Sequence, residues 1–123
     1  MSAPNEPAFD WSQAESLLGD DPQGVAEDMA AIVIELIESG NSHLLDLKKR
    51  DPATERKAIS SLAHQLRGSL LNFGFCAVGG ILLKIEKGDY ADSEYQNLLD
   101  EAQMIFVKSI KMLGERYPSI KLA

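Results

Sequence analysis

The sequence holds one cysteine, Cys76, so no disulfide can close within the chain and a reducing, cytosolic setting is expected. It has no run of about 18 apolar residues, which excludes a membrane-spanning helix. The opening "MSAPNEPAFD" lacks a basic stretch followed by an apolar one, so no signal peptide is expected. Basic residues are scarce: 12 Lys and Arg stand against 19 Asp and Glu, a net charge of −7. Such a chain lacks the basic footprint of nonspecific nucleic-acid binding, which leaves proteins and small molecules as partners. There are only two histidines, His43 and His64, on separate segments. With one cysteine they do not make a set with metal spacing, so neither a metal nor a cofactor is expected. A Walker glycine loop, a kinase signature and a nucleophile elbow are all missing, and so is any evident ATP site or serine triad. No alternating strand pattern, internal repeat or low-complexity segment is visible.

What is present is a helical pattern. The 123 residues, 45% apolar and 25% charged, suffice for one domain with a real core. Residues 1–8 hold two of the five prolines and little periodicity, and are expected to form a flexible arm before a single domain at 9–123. "DWSQAESLLG" predicts a short helix, with Asp10 as cap, Gln13 at the third position of a capping box, and Gly19 as stop. "DDPQGVAEDMAAIVIELIESG" predicts a longer one, capped by Asp21, with Pro22 at its first position and Gly40 at its end. Its apolar stripe is Val25, Met29, Ile32, Val33, Leu36 and Ile37. A shorter helical segment covers 42–50. A second Asp-Pro start, Asp51-Pro52, opens a helix running through "ATERKAISSLAHQLRGSLLNFG". "GGILLKIEKG" gives another, ended by Gly88, with Gly79-Gly80 either marking its start or allowing a close helix approach. The last helix starts near Ser93 and carries Tyr95, Leu98, Leu99, Ala102, Ile105, Phe106, Ile110 and Leu113 at helical spacing. Four substantial amphipathic helices with short connections predict an all-α fold: an antiparallel four-helix bundle with a short additional N-terminal helix.

His64 sits in "AHQLRGSLLNFG". At 100° per residue, Ile59, Leu62, Leu66, Leu70 and Phe73 cluster within about 80° of one another and form the core stripe. His64 points nearly opposite. Its face carries Ser60, Ser61, Arg67, Gly68, Leu71 and Phe75, with Lys57 two turns earlier. A solvated surface histidine is the plain reading, and three features weigh against it. Arg67 and Lys57 place positive charge beside the imidazole in an acidic chain. Gly68 costs about 1 kcal/mol relative to alanine inside a helix, so its lack of a side chain calls for a use. Leu71 and Phe75 put apolar surface where solvent is expected, as a docking face would.

Together these point to a histidine that is itself the reacting group. An imidazole has an ordinary pKa of about 6.5, is largely neutral at cytosolic pH and is a competent nucleophile. Attack on an acyl phosphate would give a phosphohistidine. Arg67 and Lys57 would offset the charge of the phosphoryl oxygens.

The stretch resembles the signature of histidine-containing phosphotransfer (HPt) domains, which runs Ala-His-x-Leu-Lys-Gly-Ser, then Asn and Gly a few residues on. His64, Leu66, Gly68, Ser69, Asn72 and Gly74 match in register. "KIEKG" places Glu86 where the family often has a glutamate on the next helix, and the likeness extends over residues 9–117. Arg67 stands where the family usually has lysine, and Leu70-Leu71 where it favours small residues.

The resemblance implies a phosphocarrier that is not an autonomous enzyme. It would take phosphate from the aspartate of one receiver domain and pass it to another, in a cytoplasmic multistep phosphorelay. The receiver would supply Mg²⁺ and most of the catalytic machinery. The alternative is a helical adaptor of the same fold that binds receivers without phosphotransfer. A monomer is expected, free of membrane and nucleic acid. The initiating methionine and domain length suggest a free-standing protein. Within that reading His64 accepts phosphate, Arg67 and Lys57 stabilise the phosphoryl group, Gly68 keeps access open, and Leu71 and Phe75 dock the partner. Glu86 has two readings: a carboxylate that orients the imidazole through Nδ1, or a surface residue paired with Lys84 or Lys87.

Overall fold

The computed structural model describes residues 8–121, so all but the last residue of the expected N-terminal arm lies outside the described residues. Five helices follow in order: α1 Trp11–Leu18, α2 Glu27–Lys49, α3 Arg56–Leu71, α4 Cys76–Glu86 and α5 Tyr95–Arg116. Short 3₁₀ turns lie at Asp92–Glu94 and Pro118–Ile120. There is no strand among the described residues, and no described helix is long and apolar enough to cross a membrane.

The start of α1 follows from its sequence. Asp10 Oδ1 accepts from the Gln13 backbone N–H at 3.2 Å, satisfying one of the donors a helix N-terminus leaves free. The capping box does not close, because Gln13 Nε2 donates instead to the Asn72 carbonyl at 3.0 Å. Asp10 N–H donates to Gly74 O at 2.8 Å. Gly74 has φ +91, and a Cβ there would strike the Asp10 backbone and the Phe9 ring. Only glycine fits both the backbone angle and the approach. The N-terminal segment is thereby sealed against the turn between α3 and α4.

Several expected helix boundaries move. Asp21 does not cap α2. Its carboxylate accepts from Gln23 N–H at 3.0 Å and its carbonyl from Gly24 N–H at 3.1 Å, closing a turn, and α2 starts at Glu27. The second Asp-Pro behaves the same way: Asp51 Oδ1 accepts from Ala53 N–H at 2.9 Å, and α3 begins only at Arg56. An aspartate two residues before an N–H serves a local turn as readily as a helix cap. Gly40 does not end a helix either. α2 runs through it to Lys49 and absorbs the segment expected at 42–50.

Tertiary contact explains Gly40. A Cβ there would lie 2.7 Å from Phe106 Cζ, and Phe106 is fully buried, with its ring edge-on to Phe75 at 5.6 Å between centroids. Gly40→Leu is expected to destabilise the fold by about 1–3 kcal/mol, because the aromatic ring has no free space to retreat into. A thermal melt followed by circular dichroism checks this; an unchanged midpoint would mean that α2 and α5 can part without cost.

One core joins the helices. α2 packs on α3 and α5, and α4 also packs on α3 and α5. On α3 the buried residues are Ile59, Ala63, Leu66 and Leu70, while Leu62 and Phe73 are only partly covered. The stripe is therefore rotated from the expected one toward Ala63, which is fully buried. On α2, Val33 is buried but Ile32 is 45% exposed. The end of α2 meets the start of α5 through the Tyr95 hydroxyl, which donates to Leu47 O at 2.6 Å. Burial pushes the Tyr95 hydroxyl pKa well up, so it stays a donor at any physiological pH.

Candidate functional site

His64 lies in the middle of α3 with its side chain 66% exposed. Its Nδ1 is 3.0 Å from Glu86 Oε2. Glu86 is the last residue of α4, and its other oxygen, Oε1, accepts from Arg67 Nε at 3.0 Å. One carboxylate thus holds two residues a turn apart on α3. Neither Lys84 nor Lys87 is its partner; the structure brings it to the imidazole. Ser60, one turn before His64, donates from Oγ to the Glu86 carbonyl at 2.7 Å. That bond ties the end of α4 to α3 beside the cluster and satisfies one of the carbonyls a helix C-terminus leaves free.

The close approach of α3 and α4 depends on Gly79. A Cβ there would fall 2.8 Å from Leu71 Cδ2 and 3.8 Å from Arg67 Cγ. The Arg67 stem and the Leu71 side chain therefore lie over the bare backbone of α4. Gly79-Gly80 does not start the helix, which begins at Cys76; it sits inside and admits α3. From Gly79, Glu86 is two turns on along the same face, so the approach that seats Leu71 also carries the carboxylate to His64.

Electrostatics fix the roles within the cluster. Burial pushes the Glu86 carboxyl pKa up, but hydrogen bonds and charge from Arg67 and His64 outweigh it, so the net direction is down from the ordinary value of 4.5. Glu86 is therefore ionised at neutral pH and can only accept. In neutral His64 the proton must sit on Nδ1, which leaves the Nε2 lone pair free. Nε2 makes no hydrogen bond among the described residues. With the folded pKa depressed, Glu86 adds stability that is present above its ordinary value and is lost as pH falls through the lowered one.

No family model matches the chain, and neither a curated protein nor a solved structure matches it. What the site can do therefore rests on its own geometry.

Gly68, one turn after His64, is exposed, and a Cβ there would meet nothing within 4 Å. Lys57 is exposed on the same helix face, but it stands seven residues from His64, about 10 Å along the axis, and no contact brings it to the cluster. Leu71 is half-buried against Gly79 and belongs partly to helix packing.

Phe75 overturns its expectation. It is fully buried, edge-on to Phe9 at 5.1 Å and to Phe106 at 5.6 Å, and so offers nothing to a docking partner. Its assignment extended the phase of α3 past Leu71, where the helix ends. The turn through Gly74 re-aims the chain and sends Phe75 into the core. His43, the other histidine, is half-buried on α2 and its Nδ1 is 2.8 Å from Ser39 O, one turn back. Among the described residues no His, Cys, Asp and Glu side chains gather into a set that could hold a metal.

In the sequence Ser60 stands out only as a neighbour of His64 on one helix face. The face it shares was legible, but its partner on another helix was not.

Proposed function

We propose that this chain is a histidine phosphotransfer protein of a cytoplasmic multistep phosphorelay, with His64 as phosphoacceptor. The observation that carries the reading is the exposed imidazole with Nδ1 held by Glu86 and Nε2 open to solvent. In the step proposed, Nε2 attacks the phosphorus of a receiver's aspartyl phosphate. The N–P bond forms as the P–O bond to the aspartate breaks, and the carboxylate leaves with its electron pair. The ring, still protonated on Nδ1, becomes positively charged, and the Glu86 carboxylate is placed to stabilise that charge. Arg67 stands beside it, and its donors not engaged by Glu86 can turn toward the phosphoryl oxygens. Mg²⁺ belongs to the receiver.

The fold that goes with this reading is an antiparallel four-helix bundle of α2 to α5, with α1 added. Supporting it, Tyr95 meets Leu47 while Phe106 meets Gly40. Likewise Ser60 meets Glu86 while Leu71 meets Gly79. In both pairs one partner advances along its helix as the other retreats.

Incubation with a phosphorylated receiver domain tests the function. Acid-labile, base-stable phosphate on this chain is expected. A chain that binds the receiver but takes no phosphate would be an adaptor and would end the phosphocarrier reading. Glu86→Gln is expected to slow acceptance about tenfold, because a neutral amide leaves the charge that develops on the ring unopposed. Single-turnover transfer from the receiver reads it. A rate equal to wild type would mean that Glu86 serves only to join α3 to α4.

A further inference from the structure

Six large hydrophobic side chains are exposed among the described residues, and five of them lie on α2 and α5. Ile32 lines a depression with Leu66 and Ser69 of α3; the other four are Ile34, Leu45, Met104 and Val107. They fall on one side of the molecule. Ile34, Leu45 and Lys48 repeat at helical spacing along one face of α2. Lys48 reaches across to α5, where it pairs with Asp100 at 3.3 Å and with Gln103. Met104 and Val107 follow Asp100 at the next helical positions of α5, with exposures of 53% and 56%. Two depressions of about 410 and 440 Å³ meet at Val107. The helices pack in a ring, α2 on α3, α3 on α4, α4 on α5 and α5 on α2, so the α2–α5 face lies opposite the α3–α4 cluster.

We propose that this face is a self-association surface, and that its occupant is a second copy of this chain, related by a two-fold axis. The argument is self-complementarity. Along α5 the exposed row reads Asp100, Met104, Val107, Lys111, with spacings of four, three and four residues. That spacing is the same in both directions, while the charges at its ends are opposite. An antiparallel copy centred between Met104 and Val107 sets Met104 against Val107 of the partner subunit twice. It also sets Asp100 against Lys111 of the partner subunit twice, which is the requirement of an isologous interface. Asp100 keeps Lys48 beside it, and Lys111 has no ion pair among the described residues.

The second helix obeys the same axis. On α2 the row Ile34, Glu38, Asn41, Leu45 has the same spacings. A two-fold between Glu38 and Asn41 sets Ile34 against Leu45 of the partner subunit, and the Glu38 carboxylate against an amide that can donate to it. Both rows therefore have an apolar pairing and a polar pairing that a rotation by half a turn maps onto itself. An apolar patch on a monomer needs no such symmetry. The dimer would replace the expectation of a monomer and leave both His64 side chains facing outward.

Sedimentation of the full chain from micromolar to millimolar concentration tests this. A monomer–dimer equilibrium is expected. Val107→Glu should weaken it at least tenfold, as should Asp100→Lys and Lys111→Asp singly, because each sets like charges or a bare charge into the contact. The double variant Asp100→Lys with Lys111→Asp should recover most of the lost affinity. All of these positions are exposed, so far-ultraviolet circular dichroism should be unchanged. A wild type that stays monomeric throughout overturns the proposal and returns the face to a different protein or to solvent. A dimer that survives Val107→Glu, or a double variant no better than the single ones, overturns it as well by placing the contact elsewhere. Phosphate acceptance at His64, measured in parallel, should be the same for Val107→Glu and wild type.

Discussion

His64→Gln is expected to accept no phosphate from a phosphorylated receiver, while its helical content and melting midpoint stay close to wild type. The loss is complete because glutamine offers an amide nitrogen whose lone pair is delocalised and cannot attack phosphorus. The small structural effect follows from position. The imidazole is 66% exposed, so its hydrogen bond to Glu86 competes with water, and removing it should change stability by less than about 1 kcal/mol. The glutamine side chain can still donate to Glu86, which keeps the carboxylate partnered. Two measurements decide the matter: labelled phosphate retained on the chain, and a thermal melt. Phosphate still accepted at wild-type level would move the site to another residue, His43 first. A large drop in melting temperature would instead make His64 a structural residue that ties α3 to α4.

The helical class and the face of His64 were legible because both rest on periodicity, which is written along the chain. Apolar positions at helical spacing placed α5 to within a few residues, and Asp10 marked the start of α1 by a bond three residues long. What failed was of three kinds. Asp21-Pro22 and Asp51-Pro52 carry a cap signal that a turn satisfies equally well, and the choice between the two is made by packing further along. Gly40 and Gly79 look like breaks, yet each answers to a side chain on another helix, Phe106 and Leu71. Phe75 failed for a third reason, since helical phase has no meaning beyond Gly74, where the backbone turns at φ +91. Within the candidate site, the positions of His64, Arg67 and Gly68 on one face came from α3 alone. That Glu86 reaches both His64 and Arg67, leaving Lys57 outside, depends on where α4 lies, which no local pattern records.

Gly68 separates stability from access, and Gly68→Gln is expected to move the two in opposite directions. The position is helical and exposed, and a Cβ there would meet nothing within 4 Å. Glycine is disfavoured in a helix by about 1 kcal/mol because it has the most backbone freedom to lose. A glutamine should recover most of that, and the variant should melt at the same temperature as wild type or higher. The same side chain would project one turn from His64 on the same face, about 6 Å along the axis, into the space an incoming aspartyl phosphate must cross. Holding the reacting atoms about 1 Å from their best approach costs on the order of 10²-fold in rate, and transfer from the receiver should slow by about that much. Phosphoramidate, small enough to pass beside the glutamine, should phosphorylate His64 in the variant at nearly the wild-type rate. That comparison separates a blocked approach from a damaged imidazole. If Gly68→Gln instead melts lower, the glycine serves backbone geometry. If the receiver transfers at full speed, the open space beside His64 is not the path the phosphate takes.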